Sequence, residues 1–274
     1  DVLTSKESKE TEYGTVSVPA YSAKGLKGVV YEIKNSGGAV VATITTNASG
    51  TAETGVLPLG TYTVQEKSAP TGYIVDDTIQ TVTLAYKDQN TAVVTVTLNA
   101  DNELQTGGVK IRKITEMFNY DKIDFYNALA EGYVFGLYTA EVIGDVPADV
   151  LVEVLTTDDQ GIAQTSVSLP YGKYYLKELA VPTETIEMLT DKLPVVIGSE
   201  LNTEYYDKPI YNTMFTAKIG VYKLDVANTE RGLSGAVFEV RDTAGKLFDT
   251  ITSNADGYAE TIDLPVGEYK VKEI

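Results

Sequence analysis

The chain has 274 residues, 43% of them hydrophobic, and its 22 basic and 39 acidic side chains give a net charge of −17. At about 100–150 residues per domain the length suits two or three domains, and the acidic surface argues against binding nucleic acid or an anionic membrane. There is no Cys, His or Trp, which excludes thiolate and imidazole metal sites, Cys nucleophiles, Ser-His-Asp triads and disulfides.

In chain order, residues 1–11 are polar and read as a linker or the tail of an upstream module. Residues 12–104 open with a strand whose Val29, Tyr31 and Ile33 share one face. A turn follows at 45–53 (TTNASGTAE), where Gly50 can supply a positive φ. Leu57-Pro58 then closes one strand, Gly60 turns, and a new strand places Tyr62, Val64 and Glu66 on one face. Further short strands are expected at Gln80–Leu84 and Ala92–Leu98.

The same blocks recur in order. Residues 105–211 carry GYVFGLY at 132–138, TTDDQGIAQ at 156–164 and LPYGKYYLKE at 169–178. Residues 212–274 carry GAVFEV at 235–240, TSNADGYAE at 252–260 and LPVGEYKVKE at 264–273. Three ordered blocks kept three times make the chain a tandem array, each copy an antiparallel, all-β sandwich. The third copy ends one residue after Glu273, so its last strands are expected to be missing. The second copy has an insertion at 115–131, with Asp121–Gly132 expected to form a turn or two of helix. No apolar run reaches the ~20 residues that span a bilayer.

Gly-Thr-Tyr-Thr-Val-Gln-Glu-Lys-Ser-Ala-Pro-Thr-Gly-Tyr at 60–73 resembles the hallmark of CnaB-type (prealbumin-like) domains, the repeat modules of Gram-positive surface adhesins and pilins. The resemblance implies Ig-like sandwiches on an extracellular, cell-wall-attached protein. It also implies an isopeptide bond made by the domain itself, joining a first-strand Lys to a last-strand Asn or Asp with help from a buried acid. Lys113 and Lys223 match the lysine, and Glu178, Glu273 and Glu66 match the acid. Asp207 is the expected partner of Lys113, because Leu201, Thr203, Tyr205 and Asp207 would share a strand face. Asn212 is the runner-up, lying as far before Lys223 as Asn102 lies before Lys113. Lys223 lacks a partner within the chain and is expected to be paired ionically, to lie exposed or to meet a strand from elsewhere.

The first copy is expected to form no bond. Val16, or Val18 with a shorter turn, stands where the lysine would fall, and Lys24 and Lys27 lie in the following turn. Glu66 should then be hydrogen-bonded or partly exposed, with Asn102 or Asn99 nearby. The chemistry suits the residue types. Burial lowers a lysine pKa towards the neutral nucleophile and raises a carboxyl pKa towards a general acid. Each domain would react once, so the chain is not an enzyme in the usual sense.

The expected function is a stalk or shaft module. Two alternatives stand beside it. One is a ligand-binding adhesin module using Phe118, Tyr120, Phe125 and Tyr126. The other is an accessory sandwich of a secreted glycan-degrading enzyme. The four aromatics equally suit packing against a neighbouring domain. Implied partners are a host or matrix ligand, neighbouring surface-protein domains, and pilus subunits joined through sortase. No cofactor or metal is implied, since Asp76-Asp77 and Asp158-Asp159 read as solvated turn carboxylates.

Overall fold

Period-two alternation becomes sheet in all three repeats. The structure, a computed structural model, describes residues 2–274; the side chains of residues 2–7, Val18 and Pro19 lie outside the described set, and with them the reading of Val18 as a lysine position.

The first repeat contains β1 (Val2–Thr11), β2 (Gly14–Ser22), β3 (Val30–Asn35), β4 (Val40–Thr45), β5 (Gly60–Ser68) and β6 (Ile79–Leu84). The second contains β7 (Thr106–Gly107), β8 (Lys110–Asn119), β9 (Asp124–Leu129), β10 (Val134–Thr139), β11 (Leu151–Thr156), β12 (Ile162–Gln164), β13 (Leu169–Pro170), β14 (Gly172–Ala180), β15 (Leu193–Ile197), the short helix α1 (Glu204–Asp207) and β16 (Ile210–Asn212). The third contains β17 (Thr216–Ala217), β18 (Gly220–Tyr222), β19 (Leu224–Asp225), β20 (Asn228–Gly232), β21 (Val237–Asp242), β22 (Leu247–Thr252), β23 (Tyr258–Glu260), β24 (Leu264–Pro265) and β25 (Tyr269–Glu273).

One sheet recurs: β4-β3-β5-β6, β11-β10-β14-β15 and β22-β21-β25. In the second repeat it faces β12-β8-β16, with β9 paired to β8. Between these layers lie Ile111, Phe135, Leu137, Leu169, Leu176 and Ile197, all fully buried. Each such side chain contributes about 1.5–3 kcal/mol through removal from water.

The repeated blocks have local causes. Asn47, Asp158 and Asn254 each accept two backbone N–H groups through Oδ1, closing the same turn three times. Gly161 and Gly257 sit in that turn at φ 68° and 79°. A side chain at either would collide with the carbonyl of Lys113 or Lys223, so both conformation and closeness demand glycine. In the Leu-Pro-x-Gly blocks, Tyr62, Tyr174 and Tyr269 donate their hydroxyls to the carbonyls of Pro58, Pro170 and Pro265. Asp158 therefore works as a turn residue.

Four expectations change. Residues 2–11 form a strand paired with β2 from Val2↔Ser22 to Thr11↔Gly14, where a linker was expected. Residues 92–98 form no strand, and β2 is paired with β1 instead of joining the first repeat's sheet. The stretch read as helix, 121–132, is the return arm of a hairpin. Asn119 Oδ1 accepts the N–H groups of Asp121 and Lys122, and the tight turn sends Phe125 back opposite Phe118. The stretch read as the last strand, 201–207, ends in α1. Asn202 Oδ1 accepts the Glu204 N–H and the Thr203 carbonyl accepts that of Asp207, so the chain coils instead of extending.

Candidate functional site

β8 aims alternate residues inward, and Val109, Ile111, Lys113 and Thr115 are all buried. Its neighbours fix the lysine's place. The Lys113 N–H donates to the Gly161 carbonyl at 2.6 Å, and parallel β16 sets Ile210 beside Lys113 and Asn212 beside Thr115. From the facing sheet, β14 points Tyr174, Leu176 and Glu178 into the same interior.

Three polar side chains thus meet in an apolar core. Lys113, Glu178 and Asn212 are 0%, 1% and 3% exposed. Lys113 Nζ donates to the carbonyls of Ile114 at 2.8 Å and Ile210 at 3.2 Å, and lies 4.9 Å from the Tyr133 ring centroid. Asn212 Nδ2 donates to Glu178 Oε2 at 2.8 Å and to the Glu187 carbonyl at 2.9 Å. The Leu189 N–H donates to the same Glu178 oxygen at 2.7 Å. Glu178 Oε1 and Asn212 Oδ1 are buried without a hydrogen-bond partner.

Such orphaned acceptors are costly in a core. Burial pushes the Lys113 ammonium down to about 8, with the Glu178 carboxylate partly opposing. Burial pushes the Glu178 carboxyl up, against the hydrogen bonds from Asn212 and Leu189 and the charge of Lys113. Desolvation leads at both groups, so both are drawn towards their neutral forms.

This gives a pH prediction for Asn212→Ala, which has no side-chain amide beside Glu178. Between about 8 and 10.5 the unfolded lysine keeps a proton that the folded one has lost. The unfolded state then binds more protons at this site, so the lysine's contribution to stability should rise with pH across that window, by up to about 1.4 kcal/mol per unit. Tyrosines raised by burial, Tyr133 and Tyr174 among them, act in the opposite sense towards pH 10. Urea unfolding at a series of pH values therefore checks it as the difference between Asn212→Ala and the same variant carrying Lys113→Met; no difference in slope contradicts a buried lysine of this kind.

Asp207, the expected partner of Lys113, is not in this core. It is exposed at the end of α1, where its Oδ2 accepts the Thr203 hydroxyl. The sequence reading also missed the backbone groups of Glu187 and Leu189 that hold the amide and the carboxylate. It missed a clip shared by the repeats as well. Thr46, Thr157 and Ser253 each donate to a carbonyl (of Leu26, Ala130 and Leu233) and accept an N–H (of Val29, Tyr133 and Ala236). The shared Thr-Thr or Thr-Ser at the head of the middle block was the available signal.

The other repeats hold parts of the arrangement. Asn102 Nδ2 donates to both oxygens of buried Glu66, at 2.8 and 3.0 Å, and to the Ile74 carbonyl. Val16 lies buried on β2, Lys27 is exposed, and Lys24 forms an exposed ion pair with Asp145. In the third repeat Lys223 Nζ and Glu273 Oε2 form an ion pair at 2.7 Å, both partly exposed. The four aromatics do not form one exposed patch: Phe118 is buried and Phe125 half-buried against the third repeat, while Tyr120 and Tyr126 are exposed.

The family model of the SpaA prealbumin-like fold domain matches residues 17–101 and 217–274, together more than half of the chain. The chain belongs to this family. Serine-aspartate repeat-containing protein D of Staphylococcus aureus (strain Newman) is 27% identical over 91% of this chain and 20% of its own length. The trypsin-resistant surface T6 protein of Streptococcus pyogenes serotype M6 is 39% identical over 61 residues, which are 22% of this chain and 11% of that protein. Among solved structures, the Bacillus anthracis TIE protein is similar at 25% identity and a TM-score of 0.58, over 92% of this chain and 43% of that one. The chain spans about a fifth of the length of the staphylococcal relatives. These relatives of the prealbumin-like chain are surface proteins of Gram-positive bacteria. Among the described residues no helix is long and apolar enough to cross a membrane.

Proposed function

We propose that the chain is a load-bearing stalk segment of a surface protein anchored at the cell wall of a Gram-positive bacterium, and that its second repeat is locked by an isopeptide bond between Lys113 and Asn212. The supporting observation is the buried trio of Lys113, Glu178 and Asn212 with its two orphaned acceptors.

The reaction needs no outside reagent. The neutral Lys113 amine attacks the Asn212 Cγ, the new C–N bond forms, and the bond from Cγ to Nδ2 breaks. Glu178 takes a proton from Nζ and returns it to the departing nitrogen, which leaves as ammonia. Packing holds the groups together, so proximity replaces a bimolecular encounter. The product is a neutral amide, which removes a buried charge from the core.

Such a bond ties β8 to β16, near the two ends of the second repeat. Tension along the covalent chain then bypasses the stretch between them, which can carry load only through non-covalent contacts. Neighbouring modules of the same surface protein are the expected partners. In single-molecule pulling, the stretch between Lys113 and Asn212 should not lengthen, while the third repeat gives an ordinary unfolding step. Full extension of the second repeat would overturn this reading.

A further inference from the structure

The inserted hairpin has a place in the load path that the bond alone does not give it. Along β8, Ile111, Lys113 and Thr115 are buried, Met117 is exposed, and Phe118 is buried again. The inward parity changes between Thr115 and Phe118. The root of the strand turns one face to the second repeat's core, and the tip turns its other face elsewhere.

That other face meets the third repeat. Phe118 belongs to the same buried cluster as Phe238, Val240, Phe248, Ile251, Ala259 and Leu264. Its ring stacks on Phe248 at 5.8 Å between centroids and meets Phe125 edge-on at 4.9 Å. Phe248 in turn meets Tyr269 edge-on at 5.2 Å. The joint has further ties: Lys246 Nζ lies 3.8 Å from Asp121 Oδ1, Met214 packs against both cores, and its N–H donates to Glu116 Oε2 at 3.1 Å.

We propose that the β8–β9 hairpin is a clutch that supplies a core residue, Phe118, to the third repeat and passes tension from the cross-linked strand into it. The load then runs from Lys113 along β8 to the aromatic cluster, beside the short covalent link at 213–215. The mechanical half of the inference rests on the Lys113–Asn212 reading. The structural half, that the third repeat depends on Phe118 for its core, stands without it.

Hydrogen exchange by mass spectrometry on the whole chain tests it, comparing wild type with Phe118→Ala and the milder Phe118→Leu. In Phe118→Ala, peptides from β21, β22 and β25 should exchange faster by about a hundredfold or more, those from β10 and β14 should be unchanged, and Phe118→Leu should lie between. Acceleration confined to 115–131 would make the hairpin a surface appendage and overturn the proposal. Equal acceleration in β10 and β14 would also overturn it, since Phe118 would then serve the second repeat. None of these outcomes depends on whether the bond has formed.

Discussion

Replacing Lys113 by Ala should restore the mass of one ammonia to the intact protein and remove a large part of the second repeat's stability. Cross-linking a loop of roughly 100 residues is worth about 4–5 kcal/mol on the analogy of a disulfide, which restricts the unfolded chain in the same way. A smaller effect adds to this, because the variant leaves a gap where the lysine lay beside the Tyr133 ring. The cross-link dominates, so the net loss should be about 5 kcal/mol. For a domain of this size that lowers the melting temperature by about 20 °C. A mass still one ammonia below the value calculated for the variant, together with an unchanged melting temperature, would remove Lys113 from the chemistry.

Glu178→Gln separates the catalyst from the reactants. Glutamine keeps the size of the side chain and an oxygen to accept the Leu189 N–H, so the fold should survive. It cannot take a proton from Nζ and return it to the leaving nitrogen. Bond formation should slow by about 10²–10⁴-fold, the usual worth of a positioned general acid–base. Freshly purified protein should then be a mixture of linked and unlinked chains, with the linked fraction growing on incubation. Lys113→Ala, by contrast, should show no linked fraction at any time. A fully linked Glu178→Gln protein, as purified, would leave Glu178 with a packing role only.

The sheets were legible because alternation and turn residues act locally. The three Gly positions, the Leu-Pro-x-Gly turns and the inward Tyr62, Tyr174 and Tyr269 can all be read from a few neighbouring residues. The inward position of Glu178 was legible for the same reason, since it continues the parity of Tyr174 and Leu176, whereas Lys113 was read from the family resemblance and its burial comes from the structure. Asp207 was misread because the same parity rule was applied to a segment that does not extend. The Asn202 side chain accepts the Glu204 N–H and the Thr203 carbonyl accepts that of Asp207, which closes a helical turn there, and the pattern of Leu201, Thr203, Tyr205 and Asp207 mimics a strand. Asn212 sits in a strand of three residues, too short to show a period of its own. Only its parallel pairing with β8 places it. The hairpin was misread for a related reason. Phe118 is buried and Phe125 half-buried against the third repeat, and nothing in their own stretch of sequence announces that partner.

The most direct test of the account is a proteolytic digest of the native protein followed by fragmentation mass spectrometry. The account predicts a branched peptide in which the Lys113 side chain is joined to that of Asn212, lighter than its two parts by one ammonia. Linear peptides carrying an unmodified Lys113 and an unmodified Asn212 in full yield would contradict it, as would a branch from Lys113 to any other residue.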